Sequence, residues 1–151
     1  MNYTLSLAVL YMASSWKFED NSTKIKAMLE SASEEAMEAV GLMIESQAKS
    51  LAPVGNSGEL RDKINHTVSR ENGVVVGKVG SPTDYSIYVE YGTGEMAENG
   101  AGRKGGWVYK APNGKWYYTR GQKPQPFLRP AFRRNKKNIQ DIVGKHYKAK
   151  F

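Results

Sequence analysis

The sequence predicts an α+β fold that consists of a long N-terminal helix, antiparallel hairpins and a C-terminal helix. Apolar residues recur at three- and four-residue intervals between Ser22 and Leu51, which is the spacing of one helix face. Glu71-Asn72-Gly73 and Asn113-Gly114 are chain-reversal signals between runs of strand formers. A second helical pattern follows between Pro130 and Lys148. Together, these three observations indicate a mixed fold with antiparallel strands.

The composition is that of an ordinary globular chain with one domain. With 151 residues, 40% hydrophobic and 25% charged, the chain is long enough to bury a core without covalent cross-links. We assign residues 17–151 to a single domain and residues 1–16 to a peripheral tail, whose apolar run lacks a signal peptide's basic leader and is too short to span a bilayer. The chain has no cysteine and only two histidines, which disfavours thiol chemistry and metal sites.

The charge is unevenly distributed along the chain. Residues 1–60 contain four Lys/Arg and eight Asp/Glu, whereas residues 101–151 contain fourteen Lys/Arg and a single acid, Asp141. Such asymmetry indicates either a polyanion partner or head-to-tail contact between unlike faces of identical subunits. A basic face that is simply solvated is the alternative.

The first helix is predicted from Ser22 to Leu51. Its apolar stripe is rich in alanine and suits close packing on a sheet or on another helix. Asn21 or Ser22 is expected to cap its first turn. Pro53 ends the helix, because the proline ring disfavours helical geometry at the preceding residue.

Two hairpins are predicted after this helix. The first pairs Leu60–Ser69 with Val74–Val79, and His66 on its first strand is expected to be a packed or exposed neutral imidazole rather than a catalyst. The second pairs Trp107–Lys110 with Lys115–Thr119 around the Asn113-Gly114 turn.

The segment between the two hairpins is less determined. Tyr85–Tyr91 fits the period of a helix and that of a strand, and both remain open. Gly92-Thr93-Gly94 ends this element, and Glu95–Gly106 is a glycine-rich loop that we expect to be mobile until it meets a partner.

The final helix is predicted from about Pro130 to Lys148. Its first half carries Arg133, Arg134, Lys136 and Lys137, which is unfavourable at the positive end of the helix dipole. A compensating partner is therefore expected, and the acidic N-terminal helix is one candidate.

No catalytic or cofactor-binding pattern emerges. Lys104 follows a glycine-rich run but precedes Gly105 and a strand, so the segment does not meet the requirements of a phosphate-binding loop. Glu90, Glu95 and Glu98 are close in sequence, but nothing predicts the fixed geometry that acid–base catalysis needs. We therefore predict a non-enzymatic protein without a cofactor.

The aromatic residues of the second hairpin allow two interpretations. Interleaved with basic residues, they could stack on the bases of a single-stranded nucleic acid. Alternating aromatic residues on a hairpin also commonly form one buried face, which we favour for Trp107/Tyr109 and for Trp116/Tyr118.

Two motifs, in this order and spacing, carry a family resemblance: Tyr85-x-x-Tyr88-Val89-Glu90-x-Gly92-Thr93-Gly94 and Pro124-x-Pro126-Phe127-Leu128-x-Pro130-Ala131. From about Lys17 to the C-terminal helix, the chain resembles the gene-ten-like family of HK-type lambdoid siphophages and prophages. Members are regarded as head–tail joining or tail-completion (minor tail) proteins. The chain departs from the family's Pro-Val-Asp-Thr-Gly at Pro53–Gly58, which is one residue longer and has no Asp.

The resemblance implies that the long helix packs on an antiparallel sheet of hairpins. It also implies self-association into a ring, expected to be hexameric, at the virion neck after assembly in the bacterial host cytoplasm. The implied partners are the phage connector and tail proteins, with non-specific DNA contact in the channel and no membrane. A ring uses contacts between unlike surfaces, which agrees with the charge asymmetry.

We expect three groups of residues to carry these roles. The predicted subunit or partner interface consists of Glu90, Gly92, Thr93, Gly94, Glu95, Glu98, Asn99, Arg103 and Lys104. The predicted structural core of this region consists of Tyr85, Tyr88, Trp107, Tyr109, Trp116, Phe127 and Leu128. The predicted DNA-facing residues are Arg103, Lys104, Arg120, Lys123, Arg133, Arg134, Lys136 and Lys137.

Overall fold

The computed structural model describes residues 19–151, which begin with a 30-residue helix, α1 (Ser22–Leu51). Its predicted bounds are confirmed, and Ala52 is extended before Pro53, as the proline requires. The N-terminal cap differs from the prediction, because the Asp20 carboxylate accepts the Ser22 N–H hydrogen bond at 2.9 Å. The predicted tail, residues 1–16, lies outside the described residues.

A single helical turn, α2 (Glu59–Asp62), precedes the first hairpin. The prediction of a strand from Leu60 was therefore wrong at its start, and strand β1 covers Asn65–Glu71. It pairs antiparallel with β2 (Val74–Gly80) through a two-residue turn in which Asn72 and Gly73 have φ of 51° and 79°. Positive φ at both turn residues is what makes Asn-Gly the favoured pair there.

The ambiguous segment forms a helix, α3 (Ser86–Tyr91), and is followed by a 3₁₀ turn, Gly94–Met96. The loop after this turn is held by hydrogen bonds, including one from the Gly105 N–H to the Glu95 carboxylate at 2.9 Å. The second hairpin then consists of β3 (Trp107–Lys110) and β4 (Trp116–Thr119). Among the described residues the two hairpins form two separate two-stranded sheets.

The C-terminal helix is divided in two, whereas the sequence predicted one helix. Helix α4 covers Leu128–Arg134 and α5 covers Lys136–Lys150. The break falls at Asn135, whose buried side chain donates a hydrogen bond to the Ala131 carbonyl at 2.9 Å. An asparagine side chain that bonds to a nearby backbone group competes with the helix's own hydrogen bonds.

The core lies between α1 and the elements on either side of it. Helix α1 packs against the β1–β2 hairpin and against α4 and α5. Its buried face carries Ala32, Ala36, Val40, Ile44 and Ala48. Small side chains on this face allow the close packing that its alanine content predicted, and Leu60, Ile64, Phe127 and Ala131 complete the cluster. The predicted α+β fold class is confirmed.

The acidic side chains of α1 are paired within the same chain. Arg70 on β1 contacts Glu30 at 3.1 Å and Glu34 at 2.7 Å. Lys150 at the end of α5 contacts Glu35 at 2.9 Å. Although the acidic helix was a candidate partner for the basic start of the C-terminal helix, its ion pairs are with Lys49 of α1 itself, with β1 and with the end of α5.

Candidate functional site

An apolar groove lies along α3 and the loop that follows it. The side chains of Ile87, Tyr88 and Tyr91 line one wall, and Ile87 and Tyr88 are 58% and 57% exposed. Ala97 and Ala101 from the loop line the other wall. The groove has a volume of about 590 Å³ and is open to solvent. Such a concentration of exposed apolar side chains is typical of surfaces at which proteins contact partners.

On the same helix, Glu90 joins α3 to the N-terminus of α4. Only 4% exposed, its carboxylate accepts hydrogen bonds from the backbone N–H groups of Phe127 at 2.7 Å, Leu128 at 3.0 Å and Arg129 at 3.0 Å. These donors lie at the start of α4, where N–H groups have no partner inside the helix. Glu90 therefore caps a helix that begins 38 residues further along the chain.

Arg129 completes this connection. Its Nε donates to the Glu90 carboxylate at 2.9 Å, and its Nη1 donates to the Glu98 carboxylate at 2.9 Å. The guanidinium also lies over the Tyr91 ring, 4.4 Å from its centroid. One arginine thus connects α4 to both α3 and the loop, and its pKa is raised by the hydrogen bonds to Glu98 and then to Glu90.

The carboxylate of Glu90 remains the charged form. Burial raises its pKa, but the hydrogen bonds from Phe127, Arg129 and Leu128 and from the Arg129 side chain together hold the pKa below its ordinary value. The carboxylate of Glu90 is thus already occupied by donors of its own chain, and the interface role expected for this residue stays a prediction.

The Gly92-Thr93-Gly94 segment lies where the backbone crosses another part of the chain. The Thr93 N–H donates to the Gln122 carbonyl at 2.9 Å, and the Glu95 N–H donates to the Arg120 carbonyl at 2.9 Å. A Cβ atom on Gly92, which has φ of 76°, would lie 2.7 Å from the Gln122 carbonyl oxygen. Glycine is therefore required by close backbone contact here, in addition to the backbone angle.

The second hairpin exposes most of its aromatic side chains. Trp116 is 67% exposed and Tyr118 is 60% exposed, and both point to the same face of the hairpin as Val108 and Lys110, with which they pair. On the opposite face, the Tyr109 and Tyr117 rings stack with centroids 6.0 Å apart.

The core predicted for this region is therefore corrected. Tyr85, Tyr88, Tyr109 and Trp116 are exposed, and Trp107 is partly buried. The physical reason is that β3 and β4 pack chiefly on each other, and that α3 turns its tyrosines away from the cluster around α1. Phe127, in contrast, is completely buried, and Leu128 packs against the cluster.

The other predicted interface residues lie at the groove or beside it. Gly92, Thr93, Gly94, Asn99 and Arg103 line the groove. The remaining three, Glu95, Glu98 and Lys104, are exposed residues of the same loop. Arg103 also lies over the Trp107 ring, 5.6 Å from its centroid, and so connects the groove to the hairpin.

The predicted DNA-facing residues are all exposed but come from several elements. They lie in the loop after α3, in the connector after β4, in α4 and at the start of α5: Arg103, Lys104, Arg120, Lys123, Arg133, Arg134, Lys136 and Lys137. Between Glu98 and Asp141 the sequence contains eleven Lys/Arg and no acid. The structure thus spreads a positive surface over the loop, hairpin and connector.

A histidine on β1 forms a second polar connection, to α1. The His66 Nδ1 and backbone N–H both contact the Glu45 carboxylate, and Nε2 contacts Glu38 at 3.1 Å. The hydrogen bond to Glu45 raises the pKa of His66 despite its burial. The imidazole of His66 can lie this close to α1 because residue 41 is a glycine. A Cβ atom at Gly41 would lie 2.5 Å from the imidazole Cδ2.

Sequence reasoning missed the two connections made by Glu90 with Arg129 and by Glu45 with His66. The second motif contains the x position occupied by Arg129, and the first motif contains Glu90, so both motifs carried the relevant residues. The presence of both motifs in one chain was the available signal for the contact between Glu90 and the start of α4. A buried acid needs hydrogen-bond donors, and the start of α4 supplies three.

None of the helices within residues 19–151 combines the length and apolar character needed to cross a bilayer.

A family model matches residues 17–92, from just before α1 to the end of α3 and Gly92. This is the HK97-gp10-like family, described as a bacteriophage tail component. No curated protein and no solved structure matches the chain. The match covers the first motif as far as Gly92 and half of the chain. The chain therefore belongs to the HK97-gp10-like family of phage tail components, which is a family of structural proteins.

Proposed function

We propose that this protein acts in the neck of the virion, where it joins head and tail or completes the tail by assembling into a ring around the DNA channel. Its family membership makes it a structural component of a phage tail. The neck position, the ring and contact with connector and tail proteins are the finer proposal, with assembly in the host cytoplasm and a hexamer as the expected ring.

The apolar groove along α3 is the observation that carries this proposal. Ile87, Tyr88 and Tyr91 are exposed although the chain already has a complete core around α1. Leaving large apolar side chains in water is unfavourable, by about 25 cal/mol for each Å² of apolar surface, so a partner that covers them gains that free energy. A ring supplies such a partner in every subunit, because each copy presents one surface to a different surface of its neighbour.

The assembly test compares the wild-type protein with Tyr88→Ala. Tyr88 is 57% exposed and has no hydrogen bond through its hydroxyl among residues 19–151, so its removal is expected to change the unfolding free energy by no more than about 0.5 kcal/mol. We expect the wild type to form a closed oligomer at high concentration and the variant to remain a monomer. Multi-angle light scattering and negative-stain imaging measure the two states.

A functional assay complements this measurement. Purified wild-type protein is expected to restore joining when added to an extract of heads and tails that lacks it, whereas Tyr88→Ala is not. As a matched control, Tyr147→Phe changes a tyrosine on α5 and removes only the hydroxyl that contacts Ser33 at 2.6 Å. A wild-type protein that stays monomeric at high concentration and fails to restore joining would overturn the neck proposal.

A second candidate function is sequence-independent nucleic-acid binding. It is favoured by the exposed aromatic side chains of β3 and β4 within a positively charged region. In the channel, basic residues such as Arg133, Arg134 and Lys137 would meet the phosphates of duplex DNA without reading its sequence. Titration with duplex DNA at several salt concentrations tests this contact, and an affinity that does not fall with salt would exclude it.

A further inference from the structure

We propose that the β3–β4 hairpin carries a binding site for single-stranded nucleic acid on the face formed by Val108, Lys110, Trp116 and Tyr118. Trp116 and Tyr118 stack on bases, and Lys110 contacts a phosphate. This inference rests on the second candidate function above and deepens it, because it assigns a particular face and a particular form of nucleic acid.

The spacing of the two aromatic side chains suits base stacking. Residues two apart on a strand lie on the same face and about 7 Å apart. Stacked aromatic planes are separated by about 3.4 Å, which is also the rise between nucleotides of a stacked strand. The spacing of about 7 Å is close to two stacking distances, which is the separation that one base needs between Trp116 and Tyr118. The Tyr118 hydroxyl is held by the Gly105 carbonyl at 3.2 Å and by Arg120 Nε at 3.4 Å, which restricts its ring before binding.

The face is not covered by the chain itself. Within residues 19–151, β3 and β4 pack extensively only on each other. A hairpin of two short strands is marginally stable in water by itself. Yet this hairpin presents Trp116 and Tyr118 with well over half of their surface exposed. A ligand that covers the face would therefore stabilise the hairpin as well as bind to it.

The charge of the hairpin identifies an anionic occupant. In the described part of the chain, the ammonium groups of Lys110 and Lys115 have no hydrogen-bond or ion-pair partner, and Arg120 approaches Glu95 only to 4.0 Å. The sequence contains no acid between Glu98 and Asp141. A partner with phosphates on one side and planar rings on the other matches both the cations and the aromatic rings.

A second copy of the chain matches this face less well. The acids of α1 that would supply the counter-charge already bind cations of their own chain, as in the contacts of Arg70 with Glu30 and Glu34. The groove along α3 contains Arg103, which would repel the basic hairpin of a neighbour. The charges therefore favour a nucleic acid over a self-contact for this face.

The test measures binding of a fluorescein-labelled oligothymidylate of about 12 nucleotides, a length within the usual site size of a single-strand-binding surface. We expect Trp116→Ala to weaken binding by at least about fivefold, since one base–aromatic stack is worth about 1–3 kcal/mol. Trp116→Phe keeps an aromatic ring and is expected to retain most of the affinity. Lys110→Ala is expected to lower the slope of log affinity against log salt by about 0.7, the value for one single-strand phosphate.

Tyr88→Ala is the matched control, because Tyr88 is a similarly exposed aromatic residue outside the hairpin. It is expected to bind the oligonucleotide like the wild type while losing self-association, whereas Trp116→Ala shows the reverse. Binding of a duplex of the same length is expected to be unchanged by Trp116→Ala.

Two results would overturn the proposal. The first is that the wild-type protein shows no salt-dependent binding of the oligonucleotide, or that Trp116→Ala and Trp116→Phe both bind it with the affinity of the wild type. The second is loss of self-association in Trp116→Ala and Trp116→Phe without any oligonucleotide binding, which would make the hairpin a contact between copies. Because the oligomeric state of the wild type is measured without DNA, failure of the ring proposal is separately visible.

Discussion

Two regions of this molecule treat their large apolar side chains in opposite ways. Around α1, Phe127, Ile44 and Ile64 are almost completely buried among alanines. Around α3 and the β3–β4 hairpin, Tyr88 and Trp116 are mostly exposed. The first region contains the contacts that stabilise the isolated chain, and the second retains apolar surface that is available to partners. The two regions meet at Glu90 and Arg129, so the exposed region is attached to the core by hydrogen bonds and charge.

Phe127→Ala should give the largest loss of stability. Phe127 is completely buried in the cluster formed with α1, and truncation leaves a cavity. We expect the unfolding free energy to fall by about 3–5 kcal/mol, measured by urea denaturation. Trp116→Ala removes a larger side chain from the exposed region and should cost no more than about 0.5 kcal/mol. Equal losses in the two variants would contradict the division into two regions.

Glu90→Gln should give the next largest effect. The substitution removes the charge and places an amide N–H₂ group against the donors at the start of α4. We expect a loss of about 3 kcal/mol at neutral pH, since a buried donor set is left without its anion. Glu98→Gln, which changes the exposed partner of Arg129, is the control and should cost much less.

The difference in stability between wild type and Glu90→Gln is also expected to depend on pH. Since the folded-state pKa of Glu90 is lowered, its contribution is present above the unfolded pKa near 4.5 and is lost as the pH falls through the folded value. Arg129 and Glu98 are the charged groups that face it. Below about pH 4.5, the difference in stability between wild type and Glu90→Gln should therefore shrink. A difference that stays constant during acid denaturation would contradict a charged, hydrogen-bonded Glu90.

Gly41→Ala should destabilise the protein although alanine is the better helix former. A Cβ at Gly41 would lie 2.5 Å from the His66 ring, so the imidazole would have to move from its position beside Glu45. We expect a loss of about 1–3 kcal/mol from this overpacking. Gly144→Ala on α5 is the matched control, because nothing lies within 4 Å of its Cβ position. It should gain up to about 1 kcal/mol from helix propensity.

His66 should make the smallest contribution, and the size of that contribution depends on pH. Its folded-state pKa is raised by Glu45, so its contribution is fully present below the unfolded pKa near 6.5 and is lost as the pH rises through the folded value. Glu38 and Lys49, which contacts Glu45, are the other charged groups nearby. The melting temperature of the wild type should therefore fall above about pH 6.5 relative to His66→Gln. A difference that is independent of pH between 5.5 and about 8.5 would contradict a charged pair.

The sequence predicted the helices and strands of this fold better than the contacts between them. Periodicity, proline and the Asn-Gly pair identified α1 and both hairpin turns, because these signals act through local backbone geometry. Tyr85–Tyr91 is too short for either period to dominate. The break at Asn135 depends on a side chain that bonds to Ala131 only once that position is buried.

The candidate site was predicted less completely for a related reason. Alternation places Trp116 and Tyr118 on one face of a hairpin, but it does not determine whether another element covers that face. The contact of Glu90 with α4 joins residues 37–39 positions apart, and no local pattern encodes such a pair. Motif spacing identified both segments, and the structure supplied the reason for their association.

The hydrogen bonds from Thr93 to Gln122 and from Glu95 to Arg120 close the chain on itself at the base of the loop and hairpin. The family match ends at Gly92, immediately before this closure. Between the two anchor points, the intervening segment contributes little to the core around α1 and has both ends fixed close together. We expect such a segment to tolerate changes in its length and sequence, including an engineered insert, without loss of the fold that carries it.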